Sequence, residues 1–390
     1  LHDFDFFLKI AFKNKIPSKQ QLKNLILKTS NFFTFLENRR PVDYMKDPDF
    51  LRGYLIYFVP VNLSKLYSIF KEFFSHPTVF HKKDIKIVDI GCGPSPAIVS
   101  FFKLWQNNIV TSKYIRYTGI EQEENAIKIG EEIVKKLKPE TLSIKYDFLR
   151  ADISNRKTYI GLKELKPDIM IFSNSLGEIF DRSAMTQQDF INFIKPFAYK
   201  NEEFTLVIVE PATKKGASRL HRLRDALITE LGLYPYSPCL NSLPCSALKE
   251  DNWCYEERRW NPPWYLSFLS SVGLQINYLK FSYIVLRKDG INIKDIFHSK
   301  DIVVKSTSHL LNEKGKSRLW ACWNGNLMDM EKLKRDTKKD DPWLKIEKGS
   351  YFSIDKYITL SERKVRIPAN ASVKILYKFF IIILWITCLF

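Results

Sequence analysis

At 390 residues the chain is long enough for two or three domains and at least one large buried core. Hydrophobic residues make up 45% and charged residues 27%, with only 14 Gly and 18 Pro, which excludes collagen, low-complexity chains and wholesale disorder. Lys and Arg total 61 against 43 Asp and Glu, and the net charge of +18 attracts polyanions: RNA, DNA or an acidic membrane surface.

Residues 1–20 hold no Arg and no apolar run of signal-peptide length, so no export or mitochondrial address is expected there. Leu1 fits a trimmed chain or a non-AUG start read literally, the second favouring a bacterial source and a cytoplasmic location, with a mitochondrial one as the alternative. Residues 1–80 read as a helical N-terminal cap, because LKNLILK and LSKLYSIFKEFF place apolar residues three and four apart with basic residues between. From residue 85 short β-branched runs alternate with amphipathic stretches: IKIVDI, IRYTGIE, LSIKYDFL, PDIMIFSNS and FTLVIVEP. That alternation predicts an α/β domain over residues 81–230 with a parallel sheet. A section rich in Pro, Cys and Trp follows, then the strand-like LKFSYIVLRK and short strands broken by basic loops such as MEKLKRDTKKD. Together these form a Cys-rich and β extension over 231–350. Residues 351–390 form a tail whose charge-free end, Phe379 to Phe390, is shorter than the roughly 20 residues that span a bilayer, so membrane contact is not expected.

The first strand runs into Asp89-Ile-Gly-Cys-Gly-Pro-Ser-Pro96, followed by the helix-forming AIVSFFKLW. Gly91 and Gly93 allow a sharp turn and a close backbone approach, and the helix N-terminus offers free N–H groups. Ser95 stands where a full dinucleotide fingerprint has a third glycine. Glu121 falls at the tip of the second strand, placed to accept ribose hydroxyls, and Asp152 at the end of the third, within reach of an adenine amino group. The ordered set resembles the class I S-adenosylmethionine-dependent methyltransferases over about residues 80–230. The resemblance implies a Rossmann-like sheet with S-adenosylmethionine contacted by Asp89, Gly91, Gly93, Glu121 and Asp152. A nicotinamide cofactor wants the fuller glycine pattern. No catalytic residue is assigned: after the fourth strand, where amino-methyltransferases carry Asn or Asp-Pro-Pro-aromatic, this chain reads Ser173-Asn174-Ser175-Leu176. The NPPW at Asn261–Trp264 comes too late and reads as a turn and helix start.

Cys239, Cys245 and Cys254 fall in a single loop-like section, and Cys322 lies in the later RLWACWNGNL. Spacing alone leaves three readings open: an iron-sulfur cluster, zinc, or unrelated buried thiols. VEPATKKGASRLHRLRDAL, then C-x5-C, DNWC, FSYIVL and a late CWNG resemble the small-ribosomal-subunit methyltransferase-like family, the mitochondrial small-subunit assembly factor and its bacterial relatives. The resemblance runs from about residue 50 to about 350. It implies a structural [4Fe-4S] cluster held by Cys239, Cys245, Cys254 and Cys322, and small-subunit ribosomal RNA and the small ribosomal subunit as partners. DNA is not expected, and the protein reads as a monomer. Glu210, Pro211 and Gly216 match the family's turn after strand five and Arg224 the arginine of its next helix, while Ala212, Lys214, Ser95 and the Leu240-Asn241 section depart from it. Two activities therefore stay open, an S-adenosylmethionine-dependent rRNA methyltransferase and a non-catalytic assembly factor that keeps the fold as an RNA-binding platform. A zinc-bearing DNA methyltransferase is a third reading. Arg258, Arg259, Trp260 and Trp264 in YEERRWNPPWY are either an RNA-stacking surface or a partly buried Trp cluster.

Overall fold

The computed structural model describes residues 5–13, 15, 17–35, 44–76, 82–153, 158, 162, 164–182, 185–249, 251–272, 274 and 277–377. The charge-free end at 379–390 and Cys388 lie outside the described residues. Internal contacts divide the described residues into two compact units, one holding those up to Thr186 with Trp260–Leu279, the other Gln187–Arg259 with the described residues from Lys280.

The first unit opens with helices α1 (Asp5–Phe12), α2 (Lys19–Phe35), α3 (Pro48–Gly53) and α4 (Val59–Phe74), the last two joined by a π-turn at Tyr54–Phe58. Asp47 caps α3, accepting from the Asp49 and Phe50 amides, and Pro48 supplies a first helical residue that needs no donor. Gly53 lets α3 lie against α2, since a Cβ there would stand 2.1 Å from Thr29 Oγ1. α4 is apolar on most sides and buried along nearly its whole length. The described residues up to Phe74 are mostly helical.

The α/β part follows as β1 (Asp84–Ile90), α5 (Pro96–Gln106), β2 (Tyr114–Glu121), α6 (Glu124–Leu137), β3 (Ser143–Arg150), β4 (Ile169–Ser173) and α7 (Leu176–Arg182). The four strands are parallel in the order β3-β2-β1-β4, with Ile90 opposite Ile120 and Phe172, and Glu121 opposite Arg150. The fold is the expected mixed α/β with a parallel sheet. β4 is an apolar run and β1 is largely buried despite Asp84, Lys86 and Asp89, as befits central strands, whereas edge strand β3 alternates exposed and half-buried residues. All four strands therefore end at one edge, where ligands bind in such sheets.

The second unit begins with α8 (Gln187–Lys200), β5 (Thr205–Pro211), α9 (Lys214–Leu231), β6 (Tyr234–Ser237), β7 (Glu256–Arg259) and β8 (Tyr278–Arg287). β8 runs antiparallel to β5, Phe281 opposite Pro211 and Arg287 opposite Thr205, and β6 and β7 also pair with it. A second sheet comprises β9 (Ile302–Ser306), β10 (Leu311–Glu313), β11 (Lys316–Trp323), β12 (Asn326–Leu333), β13 (Tyr351–Ile354), β14 (Ile358–Ser361), β15 (Lys364–Arg366) and β16 (Val373–Tyr377). Its core is Val304, Leu319, Met328, Met330, Trp343, Phe352 and Val365 with their neighbours. Within MEKLKRDTKKD the residues up to Leu333 complete β12, and a 3-10 turn at Lys334–Asp336 follows, so only the remainder is loop.

Among the described residues no helix is long and apolar enough to cross a membrane.

Candidate functional site

Two cavities carry the sequence-predicted residues, one in each unit. The first, of about 200 Å³, opens at the C-terminal ends of β1–β4 and is lined by Gly91, Gly93, Glu121, Asp152, Asn174 and Glu178 among others. Its floor depends on the glycine loop. Gly91 and Gly93 take φ values of +69° and +50°, and the Gly91 and Cys92 amides donate to the Ile120 carbonyl, drawing the loop over β2. A Cβ on Gly91 would lie 2.5 Å from Ser175 Cβ, while one on Gly93 would meet nothing within 4 Å. The first glycine is thus demanded by packing; the second leaves an open wall beside the cavity. Ser95 adopts φ +62° just before α5, keeping the left-handed turn without a glycine. Its hydroxyl fills the space beside Gly130, where a Cβ would come within 2.8 Å of it.

The Glu121 carboxylate accepts from the Gly93 amide at 3.0 Å and from the Gln122 and Glu123 amides at 2.8 and 3.1 Å. Burial raises its pKa, against the lowering effect of these amides. A carboxylate clamped at the strand tip presents a fixed acceptor at the cavity wall. Asp152, by contrast, is exposed and lines the cavity one residue beyond Ala151, whose amide donates to the Glu121 carbonyl. Asp89 takes a different position: it is 1% exposed beneath the loop and is not among the cavity-lining residues. Tyr117 Oη donates to its Oδ2 at 2.9 Å, its Oδ1 has no hydrogen-bond partner, and burial lifts it to about 7. A buried carboxylate oxygen without a hydrogen-bond partner is uncommon in folded proteins.

Behind β4, Asn174 at φ +57° donates through Nδ2 to Asn62 Oδ1 at 3.2 Å, and Ser175 Oγ donates to the Ile90 carbonyl at 2.7 Å. Tyr54 from the π-turn also lines the cavity, its hydroxyl held protonated by burial and by the nearby charge of Glu178.

The second cavity, of about 190 Å³, is lined by Cys239, Cys245, Cys254 and Cys322. Three come from the section between β6 and β7, the fourth from β11, where Cys322 sits opposite Leu327 of β12 and Lys305 of β9. The loop is held by buried polar groups of α9. Arg224, 2% exposed, donates to the carbonyls of Leu243 at 2.8 Å and Asn241 at 2.6 Å, and pairs with Asp225. Asp225 in turn accepts from the Cys245 amide at 3.0 Å. His221 Nε2 accepts from the Cys254 amide at 3.1 Å, and burial lowers its pKa to about 4, so the ring is neutral. Asn292 Nδ2 donates to the Cys239 carbonyl and Ser282 Oγ to that of Cys254. Burial, then the charges of Cys239 and Cys254, push Cys245 up to about 12; burial pushes Cys254 up to about 12, with Lys305 opposing and Glu256 adding to it; burial and then Cys239 raise Cys322. Among the described residues no three His, Cys, Asp or Glu side chains are gathered to hold a single metal ion.

Turning to known proteins, the sequence profile of the family described as mitochondrial small ribosomal subunit Rsm22 matches residues 51–312. The chain belongs to the Rsm22 family. No curated protein matches it. Similar solved structures include the precorrin-6y C5,15-methyltransferase from Geobacter metallireducens, 12% identical over 56% of this chain and 86% of that one, TM-score 0.32. NSun6 from Pyrococcus horikoshii is 13% identical over 59% of this chain and 51% of that one, TM-score 0.33. The plantazolicin methyltransferase BamL is 13% identical over 69% and 97%, TM-score 0.33.

In this Rsm22 family member the structure gives Gly216 and Arg224, matched from the sequence, their physical roles, and adds His221, Asp225, Tyr54 and Asn62, which carried no motif. Gly216 matters because a Cβ there would stand 3.1 Å from the Pro211 carbonyl, where α9 turns back under its Thr213 cap. His221, Arg224 and Asp225 fall at i, i+3 and i+4 in SRLHRLRD, one helix face, which is the signal that could have marked them as supports of the cysteine loop. Tyr54 and Asn62 carried no motif. The aromatic-basic stretch divides: Arg258 and Trp260 are 0% and 4% exposed, Arg258 lying over the Tyr283 ring at 4.9 Å, so neither meets RNA. Arg259 and Trp264 are exposed, and Asn261-Pro-Pro opens the 3-10 turn Trp264–Val272 as expected.

Proposed function

We propose that this protein binds S-adenosylmethionine in the β1–β4 cavity and acts on small-subunit ribosomal RNA during assembly of the mitochondrial small ribosomal subunit. The observation that carries the reading is the convergence of Gly91, Gly93, Glu121 and Asp152 on one cavity at the C-terminal edge of a parallel sheet. Glu121 would hold the ribose hydroxyls and Asp152 the adenine amine, with Asp89 acting from beneath the loop through its unpartnered oxygen. S-adenosylmethionine supplies an electrophilic methyl group, and the chain supplies its placement. The family's name favours the mitochondrial location over the bacterial cytoplasm.

The four thiols suit a [4Fe-4S] cluster as a structural element. Cys239, Cys245, Cys254 and Cys322, which line one cavity, would ligate it, each thiolate on its own iron. Bound there, the group ties the Cys section to β11 and links its own formation to folding. Arg224 and Asp225 hold the loop amides and carbonyls in place. A second reading, a non-catalytic factor that keeps the fold as a platform, is favoured by Ser95 and Ala212 at turn positions the family fills with glycine.

The test is S-adenosylmethionine binding by calorimetry together with tritiated methyl transfer to small-subunit rRNA and assembly intermediates, with Glu121→Ala as control. Binding lost in the variant and transfer by the wild type support the enzyme. Binding without transfer on any intermediate leaves the platform, and no binding overturns the donor site.

A further inference from the structure

The second sheet has a chain order that its strand count does not announce. β9, β11 and β12 form an antiparallel meander, β13 returns antiparallel to β9, and β15 lies parallel to β12, the one parallel pair in the sheet. Taking these five as strands one to five, the neighbours run 1-2-3-5 on one side and 1-4 on the other. That is the order of the five-stranded, partly open Greek-key barrel used to bind oligonucleotides, whose ligand lies on the face of strands two and three. Fold order alone does not assign a ligand; the side chains on that face add the independent evidence.

β11 and β12 alternate. Ser317, Leu319, Ala321, Met328 and Met330 point into the barrel, while Lys316, Arg318, Asp329 and Glu331 occupy the other face. β15 adds Lys364 and Arg366 beside Asp329 and Glu331. The charges are layered by depth. Glu331 and Asp329 are 1% and 14% exposed, whereas Lys316, Arg318, Lys364 and Arg366 are 26–33% exposed. Glu331 bonds Lys316 at 2.9 Å and Arg366 at 2.6 Å, with Lys364 at 3.1 Å, and Asp329 stands 3.6 Å from Arg318. Four cations therefore reach solvent, held in position from below, with Glu313 of β10, 38% exposed, paired to Arg318 and Lys316 at one end of the row; cations already held in place lower the ordering cost of gripping phosphates. The hairpin leading into β15 adds Tyr357, 39% exposed and edge-on to Trp323 at 5.0 Å, offering a face for a base. The far end of the same face, at Trp320, Cys322 and Leu327, belongs to the thiol cavity, so the ligand track is confined to the cationic end.

We propose that residues 302–377 form an oligonucleotide-binding barrel that grips the backbone of single-stranded RNA through Lys316, Arg318, Lys364 and Arg366. This deepens the RNA-binding part of the proposed function and is independent of the donor cavity. The experiment is fluorescence anisotropy of the full chain with a labelled mixed-sequence 12-nucleotide RNA, its DNA equivalent and an RNA duplex across a KCl series. The variant is Arg318→Gln/Lys364→Gln, which leaves Lys316 and Arg366 on Glu331 but takes Lys364 from it and both cations from Asp329, so its melting temperature is read beside its RNA affinity. Removing two phosphate contacts is expected to weaken single-stranded RNA binding by about tenfold and to flatten the salt slope by about 1.4, at 0.7 per contact. Tyr357→Ala is expected to lose about fivefold or more with the slope unchanged, as loss of one stacked base does. Unchanged affinity and slope in the double variant overturns the proposal, as does preference for the duplex or for DNA. Thermal melting and S-adenosylmethionine binding of the same variant show that the fold is intact; loss of donor binding in the wild type would sink the donor site while leaving this result standing.

Discussion

The two loop glycines should fail in different ways when each is replaced by alanine. Both sit at positive φ, which costs an alanine about 1–2 kcal/mol. At Gly91 the new Cβ also lies 2.5 Å from Ser175 Cβ, an overlap that backbone or side chain must relieve at a further cost of about 1–3 kcal/mol. Gly93 has open space, so only the backbone cost applies. Gly91→Ala is therefore expected to destabilise by about 2–5 kcal/mol and Gly93→Ala by about 1–2, read as urea midpoints with unchanged slopes. In a cycle with Ser175→Gly, the overlap at Gly91 should appear as a coupling of about 1–3 kcal/mol. The ligand behaves oppositely: Gly93→Ala, with its methyl on the cavity wall, should lose more than about tenfold in S-adenosylmethionine affinity while remaining folded. Equal destabilisation by the two variants, or no coupling to Ser175, would refute the packing argument.

Arg224→Met leaves the Leu243 and Asn241 carbonyls and Asp225 without their partner, and should destabilise the second unit by about 3–5 kcal/mol in thermal unfolding. Glu331 provides a pH test. Burial pulls its pKa up, but hydrogen bonds from Lys316, Arg366 and Lys364 hold it at about 2, below the ordinary 4.5. A depressed carboxylate stabilises above its unfolded pKa and loses that stabilisation as pH falls through the folded one. The urea-stability gap between wild type and Glu331→Gln should thus be on the order of 2–3 kcal/mol at pH 6 and close between about pH 4.5 and 2. Cys322→Ser should abolish iron retention, whereas Cys92→Ser, at the buried thiol outside that cavity, should retain it in the same iron assay.

The parallel sheet was legible because β-branched runs and amphipathic stretches alternate with the period of strand and helix, and the glycine loop because φ above zero selects Gly at 91 and 93. Glu121 and Asp152 were legible from their place at strand ends. Asp89 was legible as a position but not as a depth: only the fold shows Tyr117 capping one oxygen and leaving the other without a partner. Arg258 and Trp260 stayed undecided in the sequence for a related reason, since a basic-aromatic run reads the same whether its side chains face solvent or, as these two do, fill a buried layer. The four cysteines carried no fixed spacing, because Cys322 reaches the cavity through strand pairing that local pattern does not encode. The parallel β12–β15 pair was hidden likewise, for the short strand β15 has no periodicity to declare its partner.

The most direct test of the account is anaerobic purification of wild type and Cys245→Ser, with visible absorption and iron, sulfide and zinc quantification. The account predicts a brown wild-type protein with about four irons and four sulfides per chain, lost in the variant. A colourless protein holding zinc or no metal, or iron that survives the loss of Cys245, would contradict it.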